Sequence, residues 1–386
     1  MRIDSVTPIF VDKYLFVEIA TDTGLVGLGE SGAWAFQEGT AATIERFAEY
    51  LIGKDPLLIE HHWQYLYRWT HFGGSVVMGA LSAIDIALWD IKGKHHDAPV
   101  HALLGGKVRD RARVYYHVFG ESTDELVDGI ADARAQGYTA VGHLTPFTDA
   151  LRTEPYFETH AEKIRFATDA VARYREAAGT DVDLCIEIHR RMSPFEAVQL
   201  GNAIEQYTPL FLEDPVLPDN IDEMAYVASK INIPIATGER YTSIWEFQML
   251  LARGGAQMVR PDVCIVGGIT GARKVAALAE AMHVGVVPHN PLSPVSTAAC
   301  LQIAATAPNF IVQEFPNETW GEKGDNRPEP DKLVTGAAEH DGHGFVTISD
   351  VPGIGVSLKP DAAERYPYRK REILTRLHID GSVVDQ

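Results

Sequence analysis

Glu187, Glu213 and Glu239 stand 26 residues apart, and each closes a short apolar run: Leu-Cys-Ile-Glu187, Leu-Phe-Leu-Glu213 and Pro-Ile-Ala-Thr-Gly-Glu239. A strand, the helix after it and their loops occupy roughly 25 residues, so equal spacing sets the three acids side by side on one rim of a (β/α) barrel. Carboxylates crowded together repel one another unless a hard cation sits among them, and three oxygen donors suit Mg²⁺. A single acid at a strand end is ordinarily a solvated loop residue. Three in phase favour the metal.

Other reactive side chains fall at equivalent positions. His189 follows Glu187 by two residues, and strand alternation would point both the same way, placing the imidazole beside the metal. The run Val-Val-Pro-His289-Asn-Pro ends the seventh apolar segment, and Arg260-Pro-Asp262 ends the sixth. An Asp262 carboxylate bonded to one nitrogen of His289 would orient the ring and make its neutral form a better base. Taken singly, each histidine reads as structural or exposed; two at strand ends with an acid partner favour chemistry. Glu314 closes the eighth segment, as a hydrogen-bonding group beside a substrate or as a rim residue.

The elements that must hold these groups follow from the apolar rhythm. Eight strand candidates alternate with helical patterns: Val114–Val118, Ala140–Leu144, Leu184–Ile188, Leu210–Glu213, Ile233–Thr237, Met258–Arg260, Val284–Pro288 and Phe310–Glu314. Eight such units make a closed α/β barrel of the TIM type. Residues 1–112 lack that rhythm and read as an α+β capping domain. Tyr14–Ala20 and Leu25–Glu30 form two strands about an Asp-Thr-Gly turn, and a helix runs from Val76 to Lys94. The barrel spans 113–330, and 331–386 returns to the cap. Pro146–Glu158 forms an excursion over the rim.

Composition excludes several classes. A formal charge of −19 argues against nucleic acid and anionic membranes as partners. The Met-Arg-Ile-Asp start lacks an apolar leader and no apolar run reaches the roughly 20 residues that span a bilayer, so a soluble, cytoplasmic enzyme is expected. Cys185, Cys264 and Cys300 read as buried free thiols. Gly27-Leu-Gly29-Glu-Ser-Gly32 fits a dinucleotide fingerprint but follows a hairpin without a βαβ unit, so a tight turn is the better reading. His61-His62 and His95-His96 fall in helical stretches and read as solvated faces. Elbow, Walker and Cys-x-x-Cys patterns are absent, which lowers serine hydrolase, phosphoryl-transfer and thiol-redox readings.

The ordered set Glu187-Ile-His189, Leu-Glu213-Asp-Pro, Thr-Gly-Glu239-Arg, Arg-Pro-Asp262, Gly267-Gly-Ile-Thr and Pro-His289-Asn-Pro-Leu-Ser-Pro resembles the enolase superfamily, mandelate racemase subgroup. Ala83-Ile-Asp-Ile-Ala-Leu-Trp-Asp-Ile-Lys-Gly and Leu103-Leu-Gly-Gly are similar to its N-terminal segments, so the likeness spans nearly the whole chain. Within the subgroup the chain looks most like sugar-acid dehydratases of the galactonate type, with His189-Arg-Arg-Met-Ser-Pro echoing mannonate dehydratases.

The resemblance implies that Glu187, Glu213 and Glu239 hold Mg²⁺, that His289 with Asp262 is the base and that His189 is the acid. An aldonate of the galactonate, gluconate or xylonate kind would lose water through an enediolate to give a 2-keto-3-deoxy acid. A racemase or epimerase, and a catalytically idle sugar-acid binder, are the competing readings, and a homo-oligomer is expected. Two departures stand out. His143-Leu144-Thr145 occupies the place of a Lys-x-Lys at the second strand, and Glu187 replaces the Asp of the galactonate pattern.

Overall fold

The computed structural model describes residues 1–148, 155–316, 330–371 and 375–384; residues 149–154 of the expected excursion lie outside them. The capping region opens with an antiparallel sheet of β1 (Ile3–Val11), β2 (Tyr14–Thr21) and β3 (Val26–Ser31), ordered β1-β2-β3. The hairpin matches the expectation from sequence. Strand β1 was not anticipated, because Pro8 and polar residues interrupt its alternation; at the sheet edge a proline costs no ladder bond. Helices α1 (Gln37–Leu51), α2 (Ile59–Trp69), α3 (Ser75–His95) and the short α4 (Val100–Leu103) follow.

Helix α3 is buried on almost every side, as a helix apolar all round must be. One side meets β3. A Cβ on Gly27 would lie 2.1 Å from the Ala87 carbonyl oxygen, and one on Gly29 only 1.9 Å from that of Ala83. The glycine-rich run, expected to be a tight turn, is instead strand β3, and its glycines let that strand lie directly on a helix backbone. His62, expected on a solvated face, is buried with its ring nitrogens against the Tyr50 hydroxyl and the Asp55 carbonyl. His61, His95 and His96 are exposed as expected.

The barrel strands are β4 (Arg111–His117), β5 (Ala140–Leu144), β6 (Asp183–Glu187), β7 (Phe211–Glu213), β8 (Ile235–Thr237), β9 (Met258–Val259), β10 (Gly285–Val286) and β11 (Gln313–Phe315). All are parallel, and β11 returns to pair with β4. The ring closes where Val286 bridges Phe310 and accepts the Ile311 amide at 3.0 Å. Tyr115, Cys185, Phe211, Val287 and Val312 fill the inside. Between the strands run α5 (Thr123–Ala135), α6 (His160–Ala178), α7 (Pro194–Ile204), α8 (Ile221–Ala228), α9 (Ile244–Ala252), α10 (Gly268–Glu280) and α11 (Pro294–Thr306). Side-chain caps from Ser122, Thr159, Asn220, Ser243 and Ser293 start five of these helices. The three cysteines are free and buried.

Beyond β11 come α12 (Pro330–Leu333), β12 (Val334–Thr335), β13 (Phe345–Thr347), β14 (Ser357–Leu358) and α13 (Ala362–Arg365). Strand β13 pairs antiparallel with the start of β4. Past α13 the chain reaches the cap: Arg369 pairs with Asp12, Tyr368 packs on Phe10, and the Arg371 guanidinium lies 3.7 Å over the Trp34 ring. Among the described residues no helix is long and apolar enough to cross a membrane.

Two buried carboxylates of the capping region dock it on the barrel. Asp85 of α3 accepts the Thr270 amide in the first turn of α10, at 3.0 Å. Glu30 of β3 accepts the Ser293 hydroxyl at 2.6 Å and the Ser296 amide at 2.9 Å, at the start of α11. Burial pushes Asp85 up to about 7 and Glu30 up to about 8, outweighing the hydrogen bonds that favour their charged forms. Both folded values lie above the unfolded ones. Their stabilising contribution is therefore complete in acid and is lost as pH rises through the folded values. The melting temperature should fall from about pH 4 to about pH 8, and less steeply in Asp85→Asn; parallel slopes in a thermal-melt series would contradict this.

Candidate active site

The C-terminal ends of β6, β7 and β8 place the three evenly spaced glutamates together. Glu187 sits in register with Glu213, and Glu213 with Ala236 of β8. A turn at Gly238, with φ 127°, then carries Glu239 to the rim; a Cβ there would come within 2.5 Å of the Phe247 ring. One carboxylate oxygen from each of the three lies within 4.8 Å of the others. Burial, then repulsion from Glu239 and Asp214, pushes Glu187 up to about 8. Burial likewise drives Glu213 well above the carboxylate range, although Arg260 opposes it.

Two guanidiniums that sequence reasoning did not assign compensate part of this charge. Arg190 donates to Glu239 at 2.7 Å and to Asp214 at 2.9 Å. Arg260, fully buried just past β9, reaches Glu213 through Nε at 2.6 Å and Glu314 through Nη2. Its guanidinium stands 5.9 Å from the centres of both the Tyr115 and Phe211 rings, so it crosses the barrel interior. Burial alone would raise Glu239; His289, Arg190 and Arg260 outweigh it and hold that carboxylate down at about 2.

Asp262 and His289 meet as the sequence suggests. His289 Nδ1 lies 2.9 Å from Asp262 Oδ2, and its other nitrogen, Nε2, points at the triad, 3.4 Å from Glu239 Oε2. Burial would lower His289, but Glu239, Glu314 and Asp262 push it up to about 10. His189 arrives by a different route from the one expected. Strand β6 ends at Glu187, and His189 and Arg190 adopt left-handed backbone with φ 53° and 65°. The His189 amide donates to Glu187 Oε1 at 2.7 Å, and its Nε2 stands 3.8 Å from Glu187 Oε2. Because Glu187 is one methylene longer than Asp, one oxygen bonds that amide while the group keeps reach to Glu213 and Glu239.

Glu314 is no loose rim residue. It is buried, accepts the Asn290 amide at 2.8 Å and holds Arg260, and its Oε1 lies 2.9 Å from His117 Nε2. His143 stands where the second-strand lysines were sought, 5.0 Å between ring centres from His189 and 5.8 Å from His117. Burial and those two neighbours hold it well below the usual imidazole range. His117, His143, Arg190, Asp214 and Arg260 were all missed as site residues. A rule flagging every polar residue at the C-terminal end of a barrel strand would have found the first two.

The residues fit a hard cation. Three carboxylates with oxygens in mutual reach, two of them pushed upward by burial in the absence of a cation, form a donor set that suits a hard dication such as Mg²⁺. His143, Glu187 and His189 offer a second, nitrogen-rich grouping on the same Glu187.

Residues 125–362 match the family description "Enolase C-terminal domain-like", and residues 4–105 match "Mandelate racemase / muconate lactonizing enzyme, N-terminal domain". The chain belongs to the enolase superfamily, in its mandelate racemase subgroup. Among the relatives of this enolase-superfamily chain is the D-galactonate dehydratase of Xanthomonas oryzae pv. oryzae, 36% identical over 97% of this chain and 96% of that protein. An enolase from Agrobacterium radiobacter, solved with Na and L-malate, superposes with a TM-score of 0.92 at 30% identity over the full length of both chains. A mandelate racemase/muconate lactonizing enzyme from Jannaschia sp. CCS1 gives 0.84 at 32% identity, covering 98% of this chain and 100% of that one. The α/β barrel with its N-terminal α+β cap is thus the fold of the superfamily.

Glu187→Gln tests the donor set. Removing a carboxyl that is costly to ionise should raise the melting temperature of the metal-free protein at about pH 8.5 or above, and should abolish most stabilisation by Mg²⁺. In the wild type, Mg²⁺ at a hundredfold excess over its dissociation constant should add about 2.7 kcal/mol. An equal Mg²⁺ response in both proteins would contradict the assignment.

Proposed function

We propose that this enzyme is a sugar-acid dehydratase that removes water from an aldonate of the galactonate kind, giving a 2-keto-3-deoxy acid. The observation that carries this reading is the pair of imidazoles flanking the carboxylate triad. His289 Nε2 faces Glu239 from the end of β10, and His189 Nε2 faces Glu187 from the end of β6. The galactonate dehydratase relative supports the same reaction class.

The difficulty of the reaction sets the roles. A hydrogen beside a carboxylate is weakly acidic because its removal gathers two negative charges on one enediolate. Bound among Glu187, Glu213 and Glu239, Mg²⁺ would supply electrostatic stabilisation of that developing charge. His289 takes the C2 proton on Nε2, while Asp262 fixes its ring by holding Nδ1. Its high affinity for protons in the bare protein comes from three carboxylates, and it falls toward the working range as the charge of the triad is neutralised. His189, half exposed at the mouth, delivers a proton to the C3 hydroxyl, which leaves as water. The enol so formed tautomerises to the ketone. Arg190 and Arg260 keep Glu239 and Glu213 in place.

The competing reading is a racemase or epimerase, in which His189 serves as a second base and no water is lost. With Mg²⁺ and a panel of aldonates and aldarates, we expect 2-keto-3-deoxy product together with deuterium exchange at C2. His289→Ala should lose both, and His189→Ala should lose dehydration on the order of a hundredfold or more while retaining exchange. Near wild-type dehydration in either variant would overturn the roles, and exchange without product in the wild type would favour the racemase.

A further inference from the structure

The end of β3, in the capping region, bonds the start of α11 four residues after His289 and the Cys264 carbonyl two residues after Asp262. Glu30 is completely buried, and both its oxygens are taken by the first turn of α11. Oε1 accepts the Ser293 amide at 3.2 Å, and Oε2 accepts the Ser293 hydroxyl at 2.6 Å and the Ser296 amide at 2.9 Å. Ser293 stands only four residues after His289, and the intervening Asn290 is tied to Thr297 of the same helix at 2.8 Å. Where α11 begins therefore determines where His289 sits.

Two residues on, Gly32 reaches the other partner. Its amide donates to the Cys264 carbonyl at 2.9 Å, and the Cys264 amide donates to Asp262 Oδ1 at 2.7 Å. A Cβ on Gly32 would lie 3.1 Å from Asp262 Oδ1 and 2.8 Å from Ile265. The close packing of Gly27 and Gly29 on α3 fixes the height at which this strand end arrives. A run that fits a nucleotide fingerprint thus ends against Asp262, the carboxylate that holds His289.

We infer that Glu30 and Gly32 are positioning residues for His289 and Asp262, so that docking of the capping domain aligns the base. This rests on the reading of His289 as the base. An interdomain anchor alone would affect folding and substrate affinity. A positioning element must also affect the Nδ1–H bond of His289 and the rate of the step it performs. A misplacement of about 1 Å in a reacting group costs on the order of a hundredfold in rate.

The test uses the full-length enzyme with Mg²⁺. The downfield proton resonance of the His289 Nδ1–H, assigned by its loss in His289→Ala, is recorded without substrate; kcat and KM are then measured on whichever aldonate is turned over. Glu30→Ala should shift or abolish the resonance and lower kcat by about tenfold or more, with KM within about threefold of wild type. Glu30→Gln keeps one acceptor oxygen for the Ser293 hydroxyl and the Ser296 amide and gives up only the longer bond from the Ser293 amide, so it should recover a large part of both losses. An unchanged resonance and kcat in folded Glu30→Ala would overturn the inference, as would equal losses in Ala and Gln variants with the resonance unmoved. Should Glu30→Ala fail to fold, Gly32→Ala decides: its methyl should displace the resonance, and an unmoved signal would overturn the proposal. The resonance needs no substrate, so an enzyme that turns over no sugar acid would sink the dehydratase reading while leaving the positioning claim answered.

Discussion

Six carboxylates converge at the mouth of this barrel, Glu187, Glu213, Asp214, Glu239, Asp262 and Glu314, against the two guanidiniums of Arg190 and Arg260. Two like charges about 4 Å apart repel by roughly 4 kcal/mol even at an effective dielectric of about 20. The rest of the site is a response to that excess. Arg190 and Arg260 span pairs of acids, the surrounding carboxylates push His289 up, and burial pushes Glu187 and Glu213 up. A dication relieves all of these at once. An affinity of the triad for a metal and the upward push on His289 would therefore be two readings of one electrostatic imbalance.

Holding such a cluster demands a rigid frame. The closed ring of strands sets the spacing of the side chains, and left-handed residues near the ends of β5, β6 and β7, namely His143, His189, Arg190 and Asp214, redirect the chain there. These conformations are costly for residues with a Cβ. They persist because the Arg190 amide bonds the Asp214 carbonyl and the His189 amide bonds Glu187, so each strained turn is fixed by its neighbour. The cap contributes from outside through Asp85 and Glu30, which meet the first turns of α10 and α11, where the helix dipole favours an acid.

What the sequence disclosed and what it concealed divide along physical lines. The eight strands were legible because each is a short apolar run in a regular rhythm, and Glu187, Glu213 and Glu239 were legible because that rhythm repeats every 26 residues. The Asp262–His289 contact was legible because both close neighbouring strands. Strand β1 was not, because Pro8 and its polar neighbours hide an edge strand. Arg260 and Arg190 escaped notice because a lone arginine in sequence is usually a solvated charge, and only the fold shows acids gathering around it. The conformation of His189 was misjudged because strand alternation was extended two residues beyond where β6 ends. The glycine run was misread as a tight turn; that it is a strand packed on α3 needed the α3 carbonyls to be seen.

The central claim is that the charge imbalance at the mouth is resolved by one hard dication on the three glutamates. The most direct measurement is anomalous diffraction at the manganese edge from crystals soaked in Mn²⁺, an ion that shares the oxygen-ligand chemistry of Mg²⁺. A single strong peak bonded to Glu187, Glu213 and Glu239, with Arg190 drawn off Glu239 or sharing it, is the predicted result. A triad without a peak, or a peak on His143 and His189 instead, would contradict the account.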